Sequence, residues 1–272
     1  ISSTMCFCKG YIHDVIYMYL KQSKNTLEEI ILKLIQEVLE KSWDLFTKNI
    51  MLFIGMFSMI FLITLIIGIL SPDLPQGQNI QFILFRLASN LFRMGLTLGS
   101  IRIILDVISG AETKIENLFN SFQLLLPYVC GYLLFSLVIL LLFLPFSQLI
   151  ILNESGMKVV ESFLSGDIVA LVQLMDNSIN FNYLFLYFLP CFYIWIKIQF
   201  FPYFIISEEF GPIDSMKKSY EITEGQSINL VLFLMLLMII NLLGLIPFGL
   251  GLLITIPFSF VATGVMFSVL NK

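Results

Sequence analysis

Arg86, Asn90 and Arg93 recur at helical spacing within an otherwise apolar stretch, and Thr97 continues the stripe; Arg102 follows, with Asp106 one turn beyond it. A further cation, Lys197, stands in a second apolar stretch ten residues before Ser207. Guanidinium forks and ammonium groups bind phosphate and carboxylate. The chemistry such a set would perform is anion or lipid-phosphate recognition, in a basic pathway or pocket. Charges of this kind are expensive in hydrocarbon and face a bundle interior or a cavity. A purely structural use stands beside that reading: Arg86 can reach an interface, and Arg102 can pair with Asp106. Arg93 and Lys197 are the harder cases; about 15 Å of helix separates Lys197 from Ser207, a long reach to water.

Catalytic signatures are missing, and no catalytic residue is assigned. The sole histidine, His13, leaves no H-E-x-x-H pair, and there is no Walker loop. A G-x-S-x-G elbow is also lacking. His13, Cys6 and Cys8 fall in residues 1–25, which read as a poorly ordered N-terminal tail rather than a metal site. That tail has no small-residue cleavage site after an apolar core, so it does not read as a signal peptide. The four cysteines are too scattered for a disulfide framework. No cofactor and no metal are expected, and a net charge of −4 argues against a nucleic-acid partner. Membrane lipids, and other membrane proteins, are the expected partners.

The elements that must position these residues follow from composition. Hydrophobic residues make up 58% of the chain and charged ones only 12%, with a mean hydropathy of +0.93. A soluble domain carries about 25% charged residues. In lipid every backbone polar group needs an internal partner. Continuous apolar runs therefore predict an all-α, polytopic membrane helical bundle, and residues 26–272 form its single domain. Thr26 and Glu29 make a capping box for an amphipathic helix over 27–49. That helix is too polar to span and is expected along the membrane surface or against the bundle. Six transmembrane helices follow, at about 50–70, 82–108, 124–151, 183–207, 227–246 and 249–270. An amphipathic helix near 157–175 lies between the third and fourth. The last two come from an uncharged run of 44 residues, Ser227 to Leu270, folded back at Leu243–Gly251. That run is about twice the ~20 residues one crossing needs.

Ten of the fifteen Lys and Arg residues fall in the N-terminal segment, loops 109–123 and 208–226 and the C-terminus, against Lys158 alone in the opposite connections. The positive-inside rule then puts both termini in the cytoplasm. Glu208, Glu209, Lys217 and Lys218, in one of these loops, are candidates for docking a cytoplasmic partner; the alternative is an ordinary solvated loop. Trp43, Phe119 and Tyr220 each precede the start of an outward span by seven residues, at Ile50, Leu126 and Ser227. This spacing suggests three weakly repeated hairpins, each a surface helix, a span out and a span back. Gly95 and Gly99 form a G-x-x-x-G pair suited to close helix contact. Gly244, Gly249 and Gly251, with Pro247, suit a tight hairpin.

Glu209-Phe210-Gly211-Pro212, then Ser215-Met216-Lys217-Lys218-Ser219, then a long hairpin carrying Ile256-Pro257, resembles the YciC-like bacterial inner-membrane proteins. It is also similar to the membrane domain fused to some glycerophosphodiester phosphodiesterases. Lys41-Ser42-Trp43 through Asn49 resembles the start of their first span, so the likeness covers roughly residues 30–270. It implies a six-span protein of the bacterial cytoplasmic membrane. The phosphodiesterase catalytic domain has no counterpart in these residues, so that activity is not carried over. Three readings result: a non-enzymatic scaffold or envelope and lipid-organisation factor; a transporter or lipid-handling protein using the basic stripe; and, last, an intramembrane enzyme.

Overall fold

The computed structural model describes residues 33–70, 80–151, 181–246 and 249–272, with side chains described over 33–70, 84–142, 188–246 and 249–272. The N-terminal tail, the loop 71–79 and the amphipathic helix expected near 157–175 lie outside the described residues.

The chain folds into helices alone over this range. They are α1 (33–48), α2 (Ile50–Ile69), α3 (Ile80–Ser109), a 3-10 helix (Ile115–Leu124), α4 (Leu125–Ile151), α5 (Phe181–Ile198), α6 (Phe201–Ser207), α7 (Pro212–Ile222), α8 (Ser227–Leu245) and α9 (Leu252–Leu270). Five stretches among the described residues are long and apolar enough to cross a membrane: Ile50–Ile69, Ile115–Leu142, Phe188–Ser207, Ser227–Leu245 and Leu252–Leu270. The protein is a multi-pass helical membrane bundle. The expected second span differs from these five. It is a single helix, α3, whose 30 residues make about 45 Å of length. Arg86, Arg93, Arg102 and Asp106 keep it from being apolar enough to count among them.

Instead, α3 supplies the centre of the packed core. Its second half buries Leu96, Leu98, Ile101, Ile103, Ile104 and Val107, whereas Leu84, Arg86, Leu87 and Arg93 in the first half are exposed. The 3-10 helix, α4, α6 and α9 pack around it. Six consecutive residues of α6, Phe201 to Ile206, are buried, as expected of a helix apolar on every side and enclosed by protein. Phe200, Tyr203 and Phe204 gather around Phe267 of α9, with ring centroids 5.9, 5.0 and 5.1 Å away. Between apolar surfaces in lipid, close packing rather than water release holds helices together. Close approach is visible at Gly99, where an added Cβ would overlap the Leu118 carbonyl oxygen of the 3-10 helix, and beside it the Phe122 ring covers Gly95. The G-x-x-x-G pair is used inside the chain.

The α1 helix packs against the bundle, one of the two placements its amphipathic pattern allows. Ile35, Val38, Ser42 and Phe46 are its buried face, and Trp43 and Phe46 both stand edge-on to Phe258, at 5.7 and 6.0 Å. The α8–α9 hairpin forms as its glycines suggest. Gly249 adopts φ +79°, and the backbones of Gly244 and Gly251 touch, so that a Cβ on Gly251 would lie 2.6 Å from the Gly244 carbonyl oxygen.

The continuous span expected over 183–207 is broken. The helix ends at Ile198, turns through Gln199 and Phe200, and resumes as α6. A sharp turn at Glu208–Gly211 then leads into α7, whose Pro212 stands at the first helical position and whose Asp214 lies in the first turn, both favourable there. Glu209 takes φ +54° in that turn. The left-handed conformation costs a non-glycine residue roughly 1–2 kcal/mol, and glycine relieves it at an entropic cost of about 0.4–1 kcal/mol in the unfolded chain. Glu209→Gly should therefore keep or raise the apparent melting temperature in detergent. Glu209→Val should lower it, because a β-branched side chain fits that conformation worst; equal melting of the two variants would remove the strain from the turn.

Candidate functional site

The five intramembrane candidates do not share one cavity. Arg86, Asn90 and Arg93 line a 260 Å³ hollow between the first half of α3 and the last turn of α2, beside Ile67 and Gly68. Side chains lean toward a helix's N-terminus, so Arg86 and Arg93 are drawn toward the same end of α3. Arg102 lies elsewhere, in a 580 Å³ hollow with Asp106, Ser109, Ser207, Asn271 and Lys272. The C-terminal ends of α3, α6 and α9 thus gather at one end of the bundle.

Lys197 belongs to neither group. It is buried, with 3% of its surface exposed, just before the break between α5 and α6. Its ammonium donates to the Thr223 carbonyl at 2.8 Å and lies over the rings of Tyr220 and Tyr193, at 5.1 and 5.7 Å. The long reach to water that its position suggests is unnecessary, because α7 folds back to meet it. Ser219, on the buried face of α7, and Thr223 just beyond the helix make that contact. Ser219 Oγ donates to the Lys197 carbonyl at 2.9 Å and accepts from the Phe200 N–H at 3.1 Å. Thr223 Oγ1 is 3.3 Å from the same carbonyl. The backbone groups freed by the broken helix are satisfied by α7 hydroxyls, as lipid requires.

The other face of α7 is open. Glu208, Glu209, Lys217 and Lys218 are all exposed. Lys218 pairs with Glu221 at 2.9 Å, and this hydrogen bond, more than the surrounding charge, holds the Lys218 ammonium above and the Glu221 carboxyl below their usual ranges. The Glu221 contribution is present above the ordinary carboxylate range and fades as pH falls through its lowered value; the Lys218 contribution fades as pH rises past the lysine range. Both groups are exposed, so solvent keeps the effect small.

The largest cavity described lies between these features. It is a cleft of 610 Å³ among α3, α4, α5, α6, α8 and α9, within the ~300–1,000 Å³ typical of small-molecule sites. Its floor is buried Tyr128, Phe201, Tyr203 and Leu237, and its rim is exposed Tyr132, Trp195, Met235 and Met238. No charged side chain lines it. Its polar groups are Thr97, Gln199, Asn241, Ser259 and Thr263, with the tyrosine hydroxyls.

Residues 34–271 match a domain of unknown function, DUF7847. The chain belongs to the DUF7847 family. No curated protein and no solved structure matched. The DUF7847 domain therefore takes in every described helix, α1 from its second residue on, and the whole lining of the cleft. Sequence reasoning passed over this cleft because its walls come from six helices distant in the chain. The available signal was Asn241, Ser259 and Thr263, polar residues within a charge-free run, four and eighteen residues apart.

Proposed function

We propose that this protein is a non-enzymatic scaffold or lipid-organisation factor with both termini on the cytoplasmic side, and that it lies in the bacterial cytoplasmic membrane, as the likeness to YciC-like proteins implies. The observation that carries the reading is the disposition of the cations. A pathway needs its charges to follow one another along a shared cavity, whereas Lys197 is held by a carbonyl and two rings, Arg102 lies at one end of the bundle, and Arg86 and Arg93 line a separate hollow. The cytoplasmic placement of the termini is supported by the Lys and Arg bias and by the common end shared by α3, α6 and α9.

The alternative is a transporter or lipid-handling protein. The charge-free cleft favours its lipid-handling form, because a rim of exposed apolar residues within the spans faces bilayer rather than water. The two forms separate in proteoliposomes loaded with inorganic phosphate. The expected result is wild-type efflux equal to that of empty liposomes, with Arg93→Leu unchanged in both efflux and folded yield. Phosphate efflux that disappears in Arg93→Leu would replace the scaffold by a transporter. Lipid turnover by the purified protein, lost on a single polar substitution, would install the enzyme reading instead.

A further inference from the structure

The hollow between α2 and the first half of α3 carries a more specific reading, which rests on lipid organisation as the protein's task. Its depth in the membrane follows from both helices. Gly55, early in α2, lies against Ile115, just past the end of α3, so the two helices run antiparallel. Ile67 stands seventeen residues beyond Ile50, the first residue of α2, and Arg93 stands sixteen residues before Ser109, the last of α3. Each offset comes to about 24–26 Å of helix, against a hydrocarbon core of ~30 Å. The hollow opens near the headgroup layer of the leaflet opposite the end that holds Arg102 and Lys272.

The strongest donors in this hollow are unspent. Arg93 and Asn90 lie one helical turn apart and are both exposed, so a ligand reaches them without obstruction. Among the described residues, neither the Arg93 guanidinium nor the Asn90 carboxamide has a hydrogen-bonding or ionic partner; Thr97 uses only the Arg93 carbonyl. Ser89 has given its proton to the Phe85 carbonyl at 2.7 Å. The acceptors left in the lining, Asn90 Oδ1 and Ser89 Oγ, are neutral, and none of the residues that line the hollow is a carboxylate. A guanidinium fork beside a carboxamide suits the oxygens of a phosphate. Ile67 and Phe85 make the apolar part of the same wall, which suits a phosphate joined to acyl chains. Arg86 lines the hollow two turns from Arg93, so a headgroup bearing its own ammonium would bring a cation toward two others.

We propose that Arg93 and Asn90 bind the phosphodiester of one anionic phospholipid of that leaflet, with Arg86 adding positive charge at the outer edge of the hollow. The guanidinium and the amide hold the phosphate, and the charge of the lining selects against zwitterionic headgroups.

The test is native mass spectrometry of the full chain in detergent micelles holding equal amounts of phosphatidylglycerol and phosphatidylcholine with the same chains. Wild type should retain one phosphatidylglycerol in at least tenfold preference to phosphatidylcholine, and excess inorganic phosphate should not displace it. Arg93→Leu should weaken that retention about tenfold and Asn90→Leu about fivefold, the difference between a charged and a neutral hydrogen bond. Arg102→Leu, at the other end of the bundle, should leave it unchanged. Both Arg93 and Asn90 are exposed, so the melting temperature should hold in their variants. Displacement by inorganic phosphate would make the ligand a free anion and overturn the lipid. Equal retention of the two lipids, or an equal loss in Arg102→Leu, would overturn the site while leaving lipid organisation standing, because the chain would still hold lipid. Retention of neither lipid by wild type would remove the lipid-organisation reading together with the site.

Discussion

Gly99→Ala is expected to cost this bundle about 3 kcal/mol, the upper part of the usual range for overpacking, and Gly95→Ala about 1 kcal/mol. The two glycines are one helical turn apart on α3 and face the same 3-10 helix, yet their neighbours differ in kind. A Cβ on Gly99 would overlap the Leu118 carbonyl oxygen, and the carbonyl carbon and Cα of Leu118 stand immediately behind it. Backbone cannot rotate aside as a side chain does. The 3-10 helix cannot retreat as a body either, because Leu118 and Ser121 are its buried anchors. A Cβ on Gly95 would meet the edge of the Phe122 ring at 2.5 Å, and that ring is only half-buried, between Phe92 and Phe119. It can swing. The check is the apparent melting temperature of each variant in detergent, with the yield of monodisperse protein alongside. Equal melting would mean that the close crossing at Gly99 is absent. A change of oligomeric state with unchanged melting would mean that the glycine pair serves contacts between chains.

The composition, the uncharged closing run and the glycine-marked hairpin made the membrane bundle legible in the sequence, because each depends on local content and not on which helix meets which. The interrupted fourth span was harder to see. Phe200-Phe201-Pro202 offers a proline, but prolines are common in membrane helices, and here the proline follows a turn in place of kinking a continuous rod. What lets the turn exist is Ser219, nineteen residues later, and spacing alone does not reveal that pairing. Lys197 misled for the same reason. In the sequence it is a cation stranded among apolar residues; in three dimensions it lies against the Thr223 carbonyl and two tyrosine rings. The arginine stripe lines one hollow over Arg86, Asn90 and Arg93, while Thr97, which continues its spacing, lines the larger cleft. It did not extend to a path, because a path is a property of what surrounds the helix, and the second half of α3 is enclosed by other helices. Trp43, Phe119 and Tyr220, equally spaced from their spans, are all exposed, and the residue preceding each, Ser42, Leu118 and Ser219, is fully buried. That common pattern supports the proposal of three related units.

The junction around Ser219 is where the second large effect should appear. Ser219→Ala removes the acceptor of the Phe200 N–H and a donor to the Lys197 carbonyl, both at buried positions. An orphaned backbone group inside protein costs about 1–3 kcal/mol, and at a junction this deeply buried water has no room to replace the lost partner, so about 3 kcal/mol is expected. Two neighbours provide the contrast. Thr223→Val removes a hydroxyl whose contacts, the carbonyls of Lys197, Ser219 and Tyr220, leave no donor stranded; its cost should stay near 1 kcal/mol, the net worth of an ordinary hydrogen bond. Lys197→Met deletes a charge-assisted bond and two cation–π contacts, but it also relieves the burial of an ammonium, and such replacements are often neutral or stabilising. Its melting should move less than that of Ser219→Ala although a charge has been removed. Amide hydrogen exchange supplies the residue-level reading, since protection of the Phe200 N–H should fall in Ser219→Ala and persist in both other variants. If Lys197→Met proved the most damaging of the three, the junction would be held by its cation and not by the serine that closes the broken backbone.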